Sequence, residues 1–284
     1  MKTVRVAGVP EHFNFPWHKA LEEGAFAEED IGIQWNDVPE GSGKMCEMLR
    51  RGETEIAVIL TEAAVKSRIE GNPIRIVQEF IGSPLLWGIH VAASSPFRKV
   101  AQLEGHKAAI SRPGSGSHLM AFLHARHMGW DPHHLQFEIV HQTEGAVQAL
   151  TEGQAAYFLW EHFTTKPLVT QKIFRRLGDF PSPWPCFVLA VPDHFLKADP
   201  TALKKVLEVL NRYSGRMQEI PGIDRILARS YGQEASDIHE WLKLTRWSQS
   251  QIESNIIDNV VNSLYDLKLI NKVLPAEELL HAMM

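Results

Sequence analysis

The chain has 284 residues, 44% of them hydrophobic and 22% charged, with a formal net charge of −5. That length suits one large domain or two of ordinary size, each able to bury a core. The acidic balance speaks against nucleic acid as a general partner, and no apolar run reaches the roughly 18 residues that a membrane span needs. Cys46 and Cys186 are its only cysteines, a count that does not demand an oxidising compartment. The first ten residues contain no apolar signal core. The expectation is a cytosolic protein or one whose leader has been removed.

Residues 3–9 alternate and predict a first strand. Residues 11–17 form a loop rich in aromatics, 18–26 predict a helix ending near Gly24, and 31–36 predict a second strand. Gly41-Ser42-Gly43 opens a helix over 44–51 that stops at Gly52. A third strand follows over 55–60, a helix over 61–70 ended by Gly71, and a fourth strand over 74–81. This alternation argues for an α/β fold with a mostly parallel sheet covered by helices. Residues 86–93 read as an extended crossing, and 96–103 as a short turn and helix.

A second alternation begins at Lys107. It runs as strand, glycine- and serine-rich turn, helix to Met128, strand over 135–140, helix over 143–152 and strand over 155–160. Residues 161–169 predict a helix or helical turn, and 174–177 a strand. Pro181-Ser182-Pro183-Trp184-Pro185 reads as a rigid connector, with a strand over 186–191 beyond it. From Pro192 onward strand signals vanish. Helices are predicted over 202–217, 224–231, 235–244, 249–267 and 276–284.

Two α/β units of similar grammar and a helical tail emerge. Extended crossings near 89–93 and 185–191 separate them. A chain that leaves one lobe and returns to it predicts a hinged pair with a cleft. Ligands of open α/β sheets sit beyond the carboxyl ends of strands. The stretch Ser111-Arg112-Pro113-Gly114-Ser115-Gly116-Ser117-His118 lies at such an end. Glycine lets backbone approach a ligand, serine caps the helix, and the first-turn amides carry a partial positive field. That suits an anionic or hydrogen-bond-accepting group.

Four stretches carry a family resemblance: the aromatic loop and helix from Phe15 to Phe26, the run from Gly41 to Ala57 with its Leu49-Arg50-Arg51-Gly52 turn, the turn Gly114-Ser115-Gly116-Ser117, and Tyr265-Asp266-Leu267-Lys268-Leu269-Ile270. Together they resemble the type II periplasmic solute-binding proteins. The nearest branch holds nitrate, sulfonate and taurine binders and the thiamine-pyrimidine-synthesis (NMT1-like) proteins. The resemblance implies a two-lobed α/β fold with a ligand cleft and a helical C-terminal region. Lobe one would comprise residues 1–91 and 187–284, and lobe two residues 92–186. It implies capture of a small polar organic solute, a planar heterocycle or sulfonate-like anion, for uptake through an ABC permease. No catalytic residue, metal or cofactor is expected. The location would be extracytoplasmic if a leader is removed and cytoplasmic otherwise. The alternative is a cytosolic enzyme or sensor of thiamine-pyrimidine metabolism with the same fold. The cysteine-rich iron-associated motif of those synthases has no counterpart here.

Candidate ligand residues follow. The resemblance makes Phe13, Phe15 and Trp17 one wall of the cleft, able to stack on a planar ligand. His12 and His18 beside them could donate or accept near the ligand, and an ordinary surface role is an equal reading for each. Ser42 and Gly43 offer backbone contacts, although Val38 and Met45 break the phosphate-loop pattern. Thr61 and Glu62 end the third strand. Arg112, Gly114, Ser115, Gly116 and Ser117 form the turn of the second lobe. Trp160-Glu161-His162-Phe163 follows its last strand, where the family places an aromatic or acidic side chain facing solute. Arg112 would grip an anion or pair with Glu161, whereas Glu161 would meet a cationic group, so the solute's charge stays open. His118, His124, His127, His133 and His134 read as a water-facing helix surface, because no carboxylate or cysteine completes a metal set. Both cysteines read as buried, unreactive thiols.

Overall fold

The computed structural model describes residues 1–281. The chain divides into two compact units: Met1–Ser83 with the chain from Trp184 onward, and Pro84–Pro183.

The first unit opens with β1 (Lys2–Gly8), α1 (Phe15–Glu22), β2 (Ile31–Asp37), α2 (Ser42–Arg51), β3 (Ile56–Leu60) and α3 (Thr61–Ile69). The next strand, β4 (Ile74–Ala92), carries the chain into the second unit. That unit holds β5 (Ala108–Ile110), α4 (Gly116–His127), β6 (Phe137–Ile139), α5 (Thr143–Thr151), β7 (Tyr157–Glu161) and α6 (Lys166–Thr170). Strand β8 (Phe174–Pro192) brings the chain back. It leads to α7 (Asp193–Ala198), α8 (Pro200–Ser214), α9 (Ile223–Tyr231), α10 (Ala235–Leu244), α11 (Ser254–Asp266) and α12 (Ala276–Leu279).

The two units repeat one strand plan. In the first the order is β2-β1-β3-β8, and in the second β6-β5-β7-β4. Two pairings in each are parallel: β1 with β2 and β3, and β5 with β6 and β7. The remaining one is antiparallel, with Ala57 opposite Ala190 in the first unit and Trp87 opposite Glu161 in the second. The crossing segments thus supply the antiparallel strands of an otherwise parallel arrangement. Strand β3 reads Ile-Ala-Val-Ile-Leu and is buried along nearly its whole length, as expected where helices cover both faces. The core of the second unit gathers Ala92, Ala109, Val140, Ala146, Leu150, Phe158 and Phe174. In α8, buried Leu203, Val206, Leu207 and Leu210 recur at helical spacing. Each such side chain contributes on the order of 1.5–3 kcal/mol of burial.

Several elements differ from the sequence reading. The first helix starts at Phe15 rather than at residue 18, because Pro16 occupies its first turn, where no amide partner is needed. Strands β4 and β8 each run 19 residues without a break. The expected connector at 181–185 is therefore part of a strand. Pro181, Pro183 and Pro185 stand two residues apart, so their missing N–H groups all fall on one edge of β8. The buried Ser182 and Trp184 alternate with them. Glu161 ends β7 instead of opening a helix. The helix that follows spans only Lys166–Thr170 and has Pro167 in its first turn. The helix expected over 249–267 begins at Ser254, because Trp247 ahead of it forms a bridge with Ile81. The helix expected over 276–284 ends at Leu279, and Leu280 bridges Ile76. The last three residues of that expectation lie outside the described residues.

Candidate functional site

In the first unit the aromatic loop folds inward. Residues His12–Asn14 make one tight helical turn, and α1 follows directly. Phe13 is 3% exposed, its ring 5.1 Å from those of Phe187 and Trp241, and its carbonyl accepts the Trp247 indole N–H at 3.0 Å. Phe15 is buried, and Trp17 is fully buried, stacked 5.8 Å from Phe26. His12 is a buried residue and not a surface one. It lies 4.0 Å from Trp241, and neither ring nitrogen has a partner among the described residues. Desolvation alone pulls its pKa down to about 3, so the imidazole is neutral. Trp241 and Trp247 escaped the sequence reading. They stand more than 200 positions beyond the loop they pack against, and nothing local marks them.

The glycine-opened helix α2 starts at Ser42, whose Oγ accepts the Leu60 amide at 3.0 Å; Gly43 is half-buried beside it. Leu60 is the last residue of β3, so this bond fixes the start of α2 against the strand end. Thr61 and Glu62 open α3 and are both buried. The Thr61 hydroxyl donates to the Pro185 carbonyl at 2.5 Å. The Glu62 carboxylate accepts the Trp184 indole N–H at 2.9 Å through Oε2, while Oε1 has no partner among the described residues. Burial pushes this carboxyl up to about 7, against the opposing bond from Trp184. An unmet buried acceptor costs about 1–3 kcal/mol.

In the second unit the strand ends of β5 and β7 lie side by side, with Ala108 opposite Tyr157 and Ala109 opposite Phe158. Ser111 follows β5, and the turn rises into α4. Its hydroxyls organise it from within. Ser117 Oγ accepts the Ser111 amide at 3.0 Å and lies 3.1 Å from Ser115 Oγ. Ser115 is the N-cap of α4 and accepts the His118 amide at 3.3 Å. Gly114 takes φ 77°, a left-handed value that glycine adopts freely, and its amide donates to His118 Nδ1 at 3.0 Å. The His118 ring is held edge-on between Phe122 and Phe137. The amides of Gly116 and Ser117 are left without an acceptor among the described residues, as first-turn donors of a helix are. Arg112 is half-buried in the same turn.

On β7, half-buried Trp160 stacks 5.0 Å from Phe158. Glu161 is 5% exposed, and its carboxylate accepts the Thr164 amide at 2.6 Å. Burial raises its pKa against that bond. The carboxylate thus caps its own turn. Behind it Thr165 Oγ1 lies 2.9 Å from Nε2 of the buried His90, which is held neutral at about 3 by desolvation and by Arg176. The water-facing histidine surface holds only in part. His124 is 2% exposed, edge-on to Trp130 and Phe180, because its position on α4 faces the interior. Cys46 and Cys186 are buried. Among the described residues no cluster of three or more His, Cys, Asp or Glu is placed to hold a metal ion. No described helix is long and apolar enough to cross a membrane.

A family model described as Ca3427-like PBP matches residues 87–180. The Candida albicans CA3427 gene product, described as exhibiting the generic periplasmic binding protein fold, superposes with a TM-score of 0.90 at 23% identity. That match covers 100% of this chain and 97% of the other. The aliphatic sulphonate binding protein SsuA from Escherichia coli gives a TM-score of 0.79 at 17% identity, covering 100% and 93%. SsuA from Xanthomonas axonopodis pv. citri, bound to MOPS, gives 0.82 at 17% identity, covering 98% of each chain. Comparison with curated proteins gives no match. The resemblance read from the sequence is borne out at the level of fold: the chain has the periplasmic binding protein fold, two α/β units on one strand plan followed by a helical C-terminal region.

Proposed function

We propose that the chain is a solute-binding protein that captures a small polar organic molecule and delivers it to an ABC-type permease outside the cytoplasm. One observation carries the reading: the start of α4. Two first-turn amides, Gly116 and Ser117, have no acceptor among the described residues. The turn that presents them is braced by Ser117, whose hydroxyl bonds to both Ser111 and Ser115. Braced, unsatisfied donors at a strand end form a preorganised receptor for an anionic or acceptor group. Arg112 in the same turn adds positive charge, and the half-buried Trp160 offers a face to a planar solute. Two proteins that share the fold are named for binding sulfonates. Ser42, Gly43, Thr61 and Glu62 are the contributions assigned to the first unit, whereas Phe13, Phe15 and Trp17, read from the sequence as a wall for the solute, pack its interior; Glu161 positions the end of β7.

The test is a thermal-shift and intrinsic-fluorescence screen of aliphatic sulfonates, nitrate, pyrimidines and aromatic acids. A saturable response to one class is expected. Silence across all of them would remove the reading.

A further inference from the structure

We propose that Glu62 receives a positively charged N–H group of the solute, ammonium or amidine-like, so that the solute class carries a protonated nitrogen rather than negative charge alone. This rests on the solute-binding reading above and adds to it the chemistry at one residue. A buried carboxylate is ordinarily settled by an ion pair, by several hydrogen bonds or by a metal. Glu62 has none of these in full. It is 5% exposed, and the Trp184 indole N–H satisfies Oε2 at 2.9 Å. Oε1 has no donor among the described residues. Burial raises its pKa against the Trp184 bond and its own backbone amide, and no ion pair reaches it among the described residues. No metal cluster forms among the described residues.

The second buried acid makes the contrast. Glu161 spends its carboxylate on the Thr164 amide of its own turn. Glu62 keeps one buried oxygen without a donor among the described residues while Trp184 fixes the orientation of the group. A neutral donor would meet the lone pair but leave the desolvated charge uncompensated. An N–H cation meets both, and an amidine edge does so with directional bonds.

The inference has a signature that a packing role lacks. Burial holds the Glu62 carboxyl up to about 7. A bound cation favours the carboxylate, so binding at pH 7 expels a proton from Glu62 into the buffer.

Titration calorimetry on the full chain tests this with benzamidine, its uncharged isostere benzamide, butylammonium and butanesulfonate, each in phosphate and in Tris at pH 7. Expected is binding of benzamidine or butylammonium at least tenfold tighter than benzamide, with a heat that differs between the buffers by the proton released. Glu62→Gln keeps an oxygen for the Trp184 indole. It should weaken the cation at least tenfold and abolish the buffer dependence. Equal binding of benzamidine and benzamide, or unchanged binding by Glu62→Gln, overturns the inference. Binding of butanesulfonate alone also overturns it, while leaving the solute-binding reading intact. If neither these probes nor the wider screen bind, that reading fails and this inference falls with it. Should Glu62→Gln not fold, proton release by the unaltered chain decides alone.

Discussion

The hydroxyl of Ser117 accepts the backbone amide of Ser111 at 3.0 Å, tying the first turn of α4 back to the end of β5. Both residues are buried, so the bond cannot be exchanged for one to water. Ser117→Ala leaves the Ser111 amide without its acceptor. The expected loss is about 1–2 kcal/mol of stability, read as a lower urea midpoint at unchanged slope. Solute affinity should fall with it, because the turn that aims the Gly116 and Ser117 amides loosens.

Glu62 makes the unliganded protein sensitive to base. Its folded pKa is raised from 4.5 to about 7. A raised acid contributes stability that is complete below 4.5 and is lost as pH climbs through 7. Glu62→Gln should therefore melt above the parent at pH 8, by an amount on the order of 1–3 kcal/mol. At pH 4 the two should nearly coincide. Equal differences at both pH values would show that the side chain acts by shape alone.

His124 works in the opposite direction. Its pKa is lowered from 6.5 to about 4, mainly by desolvation and secondly by His127. Stability from this neutral ring is present above 6.5 and disappears as pH falls toward 4. His124→Leu should flatten the acid limb of the stability curve between those values, followed by urea unfolding at half-unit steps. His12 and His90, both lowered to about 3, extend the same limb to lower pH.

Gly145 sits in the first turn of α5 with the Val140 carbonyl directly where a side chain would begin. That obstacle is backbone and cannot swing away. Gly145→Ala should cost about 1–3 kcal/mol, whereas alanine at Gly178, which meets only a Val100 methyl at 3.3 Å, should cost little. Comparison of their melting temperatures checks the ranking.

By itself the sequence determined the alternation of strands and helices from β1 to β7, the glycine stops at Gly52 and Gly71, and a serine cap in the turn before α4. These are local properties: apolar spacing, conformational freedom at single residues, and a hydroxyl within reach of an amide three positions on. Tertiary structure decided what depended on distant partners. The proline run 181–185 became part of β8 because strand pairing tolerates missing donors on a single edge, which no local pattern states. His12 went inside because Trp241 came to lie over it, and His124 because its side of α4 faced Trp130 and Phe180. Both buried acids appear alike in sequence, each at a strand end. Only the fold settled one on the Thr164 amide and left the other with a buried oxygen unpartnered among the described residues, because hydrogen-bond satisfaction is a property of the packed neighbourhood and not of the residue.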